Sequence, residues 1–205
     1  MSFELAEIYK YFEYLSLILS LFFYNKYKNY RFYKFFVIFL FTGVIFNLIG
    51  TYIFSTKNLW LFNIYTFFEF NIFTLLYYHL ISYRSNLKIV KLLAIVFNCF
   101  YFLSFLLKEL QAYSVPFEAL INSVFIIIYF KELLMSDKVL NYKKLLPFWI
   151  SVGYLIFYLT TIPFFTIVYF NFFKADFGSE LLYSIIILLN LCFIYGLIRC
   201  KTKEI

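Results

Sequence analysis

Seven apolar runs divide the chain, at roughly 5–24, 35–54, 59–83, 90–107, 115–134, 146–172 and 181–198. Phe35 to Phe54 carries no charged side chain, and neither does Leu145 to Phe173. About 20 residues of helix span the hydrocarbon of a bilayer. Within it, backbone polar groups are satisfied only in helices or closed barrels. Barrel strands would alternate polar and apolar over ~10 residues, and these runs do not. The pattern predicts an all-α integral membrane protein, a single seven-transmembrane-helix bundle over residues 1–205. Pro116 opens the fifth run, where a missing backbone donor costs least. Pro163 falls late in the sixth and predicts a kink or break around Thr160 to Phe164. The first run carries Glu7, Lys10 and Glu13 in its opening turns, so part of it is expected along the interface.

The connections between the runs alternate in basic charge. Single cations (Lys10, Lys57, Lys108, Lys174) mark one side, and clusters mark the other: Lys26, Lys28, Arg31 and Lys34; Arg84, Lys88 and Lys91; Lys131, Lys138, Lys143 and Lys144; Arg199, Lys201 and Lys203. Fourteen of the 18 Lys and Arg therefore fall on one face. Basic loops stay in the cytoplasm. The amino terminus is expected outside and the carboxyl terminus in the cytoplasm, as for a multi-pass protein of a bacterial inner membrane. The first run lacks a basic leader and a small-residue cleavage site, so it is expected to be retained.

Composition agrees with the pattern. Hydrophobic residues make up 64% and charged residues 14%, with a mean hydropathy of +0.85. Ordinary soluble domains are ~25% charged. The net charge of +7 then reads as basic loops against an anionic leaflet. Nucleic-acid binding is a poor explanation, because the cations are spread over four short segments. The bilayer itself is the first partner.

Most catalytic chemistry finds no residues. One His, three Cys and no CxxC or HExxH leave no metal site. A hydrolase triad lacks an acid near His79, and FGSE at 177–180 is not the GxSxG elbow. A retinal Schiff base would need a lysine between Glu180 and Ile198, and there is none. No enzyme activity and no cofactor are predicted.

What stands out is polarity at membrane depth. Glu69 lies ten residues past Leu59, ~15 Å into the bilayer by helical rise, and no Lys or Arg occurs between Lys57 and Arg84. An acid there is expected to face the bundle, hydrogen-bonded or protonated. Tyr65 and Phe73 share its face at four-residue spacing, with Thr66 beside them. Glu118 and Asn122 share a face of the fifth run. Asn47, Asn98, Asn122 and Asn190 lie in four other runs and could meet Glu69. The predicted site is an outward-facing polar network of Asn63, Tyr65, Glu69, Glu118, Asn122 and Asn190. Packing glue is the competing reading of each of these groups.

Four segments resemble a known pattern. NLWLFNIYTFFEF resembles the NxW…(H/N)xYTxxEF signature of an uncharacterised family of small, lone seven-span bacterial membrane proteins. FWISVGYLIFY is similar to the FWIxxGxLIYF element of their sixth span, FEALINSVFIIIY to a TxESxxIIxxxxY element, and LLNLCFIYGLIRC to their closing span. The resemblance implies that Glu69 and Glu118 match family acids. Asn63 stands where the family often has His, which speaks against a proton relay there. Members are sometimes encoded beside sensor histidine kinases, which implies sensing.

The leading expectation is a membrane sensor or accessory subunit that signals through a separate membrane or cytoplasmic protein, with a homo-oligomer as a further option. Its docking surface would be the longest cytoplasmic connection, with Lys131, Glu132, Asp137, Lys138, Lys143 and Lys144. The alternative is a small transporter with three spans, a linker span and three more.

Overall fold

The computed structural model describes residues 2–52, 59–107, 113–169 and 175–200, almost wholly as helix. The helices are α1 (Ser2–Phe22), α2 (Tyr24–Tyr27), α3 (Arg31–Tyr52), α4 (Leu59–Leu80), α5 (Arg84–Leu106), α6 (Ser114–Leu134), α7 (Leu146–Tyr169) and α8 (Ala175–Arg199). A 3-10 segment, Asp137–Lys144, links α6 to α7. All but α2 are 21 to 25 residues long, and each of these long helices coincides with one apolar run. Among the described residues, four are long and apolar enough to cross a membrane: α3, α5, α7 and α8. A fifth is added if α6 is taken with the 3-10 segment, which leaves it at a bend of 117°. The chain is a multi-pass helical membrane protein.

Of the kink or break expected around Thr160 to Phe164, the break does not occur: α7 is helical from Leu146 to Tyr169 with Pro163 inside it. Proline removes one backbone donor, and nearby hydroxyls serve carbonyls in the turns before it. Thr160 Oγ1 donates to the Ile156 and Phe157 carbonyls at 2.6 and 3.0 Å, and Thr161 Oγ1 to Tyr158 O at 3.2 Å. Pro116 sits in the first turn of α6, as its chemistry requires.

Backbone contacts divide the chain into two compact units. One comprises residues 28–129, and α4 is its hub. Helical rotation turns successive α4 side chains by ~100°, so different residues serve different neighbours. Tyr65 and Phe73 meet Phe46 and Phe39 of α3, with ring centroids at 5.2 and 6.3 Å. Phe70 stacks on Phe97 of α5 at 3.8 Å. Phe70 and Tyr77 also meet Phe125 and Tyr129 of α6 at 6.3 and 6.2 Å. Large aromatic rings in such numbers fill the interhelical space that small residues would otherwise close up.

The other unit comprises residues 1–27 and 130–205. Here α8 packs against both α7 and α1. Tyr9 of α1 stacks on Tyr183 of α8 at 4.8 Å. The α7–α8 contact is close because two glycines permit it. A Cβ on Gly153 would lie 3.1 Å from Cys192 Cβ, and one on Gly196 only 2.9 Å from Trp149 Cβ.

Candidate functional site

The polar residues of the 28–129 unit are set by which face of α4 they meet. Glu118, in the second turn of α6, is 3% exposed, and Asn122 one turn on is fully buried. The Asn122 side-chain amide donates to Glu118 Oε1 at 3.3 Å, as their i, i+4 spacing allows. Across on α4, half-buried Glu69 lies close enough to Glu118 for the two carboxyl groups to interact electrostatically. Glu69, Glu118 and Asn122 thus lie in one unit, with Glu118 and Asn122 in direct contact. Chemically, two interacting carboxyl groups beside an amide can hold and exchange a proton, or meet a cationic group.

The other predicted members are placed differently. Tyr65 turns toward α3, where a Cβ added to Gly43 would touch its hydroxyl at 3.4 Å. The Asn63 backbone carbonyl accepts the Tyr101 hydroxyl at 2.8 Å, tying α4 to α5. Asn98, expected to be available to Glu69, instead meets Asn71. Each amide donates to the other's oxygen at 3.2 Å, and each also donates to its own helix, to Ala94 O and Phe67 O at 2.8 Å. Asn71 was missed by sequence reasoning. It lies two residues past Glu69, about 200° around the helix, and so addresses α5 rather than α6. Asn190 belongs to the other unit, where its amide donates to Ile186 O within α8 at 2.9 Å. The Asn47 side chain is half-buried on α3.

The expected docking segment is only partly a surface. Lys131, Asp137, Lys138, Lys143 and Lys144 are exposed, but Glu132 is 7% exposed and faces inward with Leu133. Glu132 is therefore corrected from a docking residue to a buried one. Lys144 Nζ donates to Asn141 Oδ1 at 3.1 Å. Leu140, 85% exposed, and Met135, 66% exposed, lie in the same stretch, giving it an apolar as well as a basic character.

A second cluster escaped the sequence reading. At the carboxyl end of α8, the Cys200 carbonyl accepts Lys26 Nζ at 2.7 Å and the Tyr27 hydroxyl at 2.9 Å. These donors satisfy one of the carbonyls that a helix end leaves without an intrahelical partner, and the lysine complements the helix dipole. Lys26 also lies over the Phe23 and Tyr27 rings at 5.1 and 4.8 Å. Partial burial pulls its pKa below the usual lysine value, with the nearby Cys200 thiol acting in the opposite sense. Beside it, Trp149 Nε1 donates to Lys143 O at 2.9 Å. The only signal in the sequence was the coincidence of an aromatic–cation pair after α1 and a cysteine after α8.

No metal-binding group of three His, Cys, Asp or Glu occurs among the described residues. No family model matches this chain, and neither a curated protein nor a solved structure does.

Proposed function

We propose that the chain is a seven-span sensor or accessory subunit of a bacterial inner membrane, with its amino terminus outside and its carboxyl terminus in the cytoplasm. Seven long helices in register with seven apolar runs support the count, and the alternation of basic loops supports the orientation. The observation that carries the functional reading is the acid pair, Glu69 on α4 with Glu118 on α6, placed inside a helical unit with Asn122 holding Glu118. Neighbouring carboxyl groups away from water resist carrying two negative charges. Gain or loss of a shared proton, or its replacement by a cation, would alter the force between α4 and α6. Tyr65 on α4 and Tyr101 on α5 are further titratable groups in this unit, and phenols are uncharged at physiological pH. An amide would glue helices at lower cost than an acid, which favours a switch over simple packing.

The output passes through a separate protein docked on the exposed basic segment from Lys138 to Lys144. The transporter arrangement would draw the first three spans into one group and the last three into another. Strong backbone contacts instead join α8 with both α1 and α7, which favours the sensor. The test is chemical cross-linking in native membranes followed by identification of the attached protein, in wild type and in Glu69→Gln. A partner whose yield changes with external pH in wild type but not in the variant supports the reading. A chain that cross-links to nothing at native expression sinks it.

A further inference from the structure

Where α7 begins and α8 ends, a cleft of about 480 Å³ opens on the surface of the 1–27/130–205 unit, lined by Trp149, Leu191, Cys192, Tyr195, Ile198 and Arg199 among others. Its size falls within the ~300–1,000 Å³ of ligand-holding clefts. From Leu191 to Arg199 it follows α8 for ~12 Å by helical rise, so its floor is elongated, parallel to the helix and apolar. At its end sits Arg199, exposed and without an ion-pair partner among the described residues. Among the described residues, no acidic side chain lines the cleft.

The wall is rigid. The Trp149 indole is held by its hydrogen bond to Lys143 O, and its ring meets Tyr195 at 4.5 Å. Its Cβ lies against Gly196, where no other residue fits without displacement. Lys143 and Lys144, both exposed, precede this wall and add positive charge to the same stretch. Trp, Tyr and Arg at a helix end mark the headgroup level of a bilayer, so the cleft runs from that level toward the hydrocarbon.

We propose that this cleft is a binding site for an anionic glycerophospholipid, its phosphate on Arg199 and one acyl chain along Leu191, Cys192, Tyr195 and Ile198. The occupant follows from complementarity: an apolar channel with an exposed guanidinium at interfacial depth matches an amphiphile with an apolar tail and an anionic head. Guanidinium suits phosphate because its planar fork donates two parallel hydrogen bonds. Basic sites between helices on the cytoplasmic side hold anionic headgroups in this way.

The test uses the full chain in neutral detergent, titrated with phosphatidylglycerol or with phosphatidylcholine of identical acyl chains. Phosphatidylglycerol should raise the melting temperature, and native mass spectra should retain one molecule of it per chain. Arg199→Gln should weaken its binding about tenfold or more, leaving helix content and phosphatidylcholine retention unchanged. Lys88→Gln, an exposed cation near the start of α5, should have no such effect. Ile198→Trp fills the channel and should lower phosphatidylglycerol retention while Arg199 is intact. Equal retention of the two lipids, equal losses in the Arg199 and Lys88 variants, or full occupancy in Ile198→Trp would each overturn the proposal. So would a dimer in delipidated detergent that phosphatidylglycerol does not disperse, because the cleft would then be covered by a second copy.

Discussion

Asn71 of α4 and Asn98 of α5 form a reciprocal amide pair, each Nδ2 donating to the other's Oδ1 at 3.2 Å. Each amide also spends its second N–H on a carbonyl one turn back in its own helix. The side chains are thereby fixed on both sides, and the pair sets the rotation of α5 about α4. In a membrane such pairs contribute ~0.6–2 kcal/mol. Asn71→Leu or Asn98→Leu alone should destabilise the protein by about 1–2 kcal/mol, because the remaining amide loses its partner. The double variant should cost less than the sum of the two. A double-mutant cycle on denaturant unfolding in detergent measures the difference, and simple additivity would show that the pair is not coupled.

Glycine tolerance should differ along the chain. Gly196→Ala places a Cβ against Trp149 Cβ at 2.9 Å, a contact between two short, inflexible groups. Overpacking of this kind costs about 1–3 kcal/mol. At Gly43 only the Tyr65 hydroxyl, at 3.4 Å, would meet the new methyl. Gly43→Ala should therefore be nearly neutral, while Gly196→Ala should melt at a lower temperature. Equal melting temperatures would contradict the close α7–α8 approach.

The acid pair predicts a split between stability and response. Glu69→Gln keeps the shape and much of the hydrogen bonding of the acid, so thermal stability should hold within about 1 kcal/mol. The pH-dependence of partner association should disappear. Glu118→Leu should instead destabilise the fold by about 1–3 kcal/mol, since it removes the carboxyl oxygen that accepts from the buried Asn122 amide. If Glu69→Gln keeps the full pH response, the pair is packing glue and not a switch.

The Cys200 carbonyl supplies a local test. Tyr27→Phe removes one of its two donors and leaves Lys26 in place. A loss of about 0.5–1.5 kcal/mol is expected, concentrated at the end of α8. Hydrogen exchange should show faster protection loss from Gly196 to Cys200 with little change at the centre of the helix. Uniform acceleration along α8 would point to a global effect.

Topology is open to direct measurement. A reporter fused after Ile205 should report cytoplasm, and one placed within 109–114 should report the outside. The reverse pattern would overturn the orientation and the assignment of the basic segment from Lys138 to Lys144 to a cytoplasmic partner.

By itself, the sequence determined that the chain lives in a bilayer, where its long helices lie, and which acids are anomalous there. Each of these depends on local transfer energies: runs such as 35–54 must be helical in hydrocarbon, and Glu69 is costly whichever neighbour it meets. It also brought Glu118 and Asn122 together, since i, i+4 spacing on one helix is a local relation. Rotation of one helix against another was not legible, because runs apolar on every side carry no marked face. Only the tertiary structure decided that Asn98 meets Asn71 and that Tyr65 turns to α3. The same holds for the inward turn of Glu132 and for the Cys200 carbonyl, which gathers donors from the other end of the chain. The helix also continues through Pro163, which the propensity of proline alone does not foretell. These are matters of which side chain meets which, and in an apolar medium packing alone selects among them.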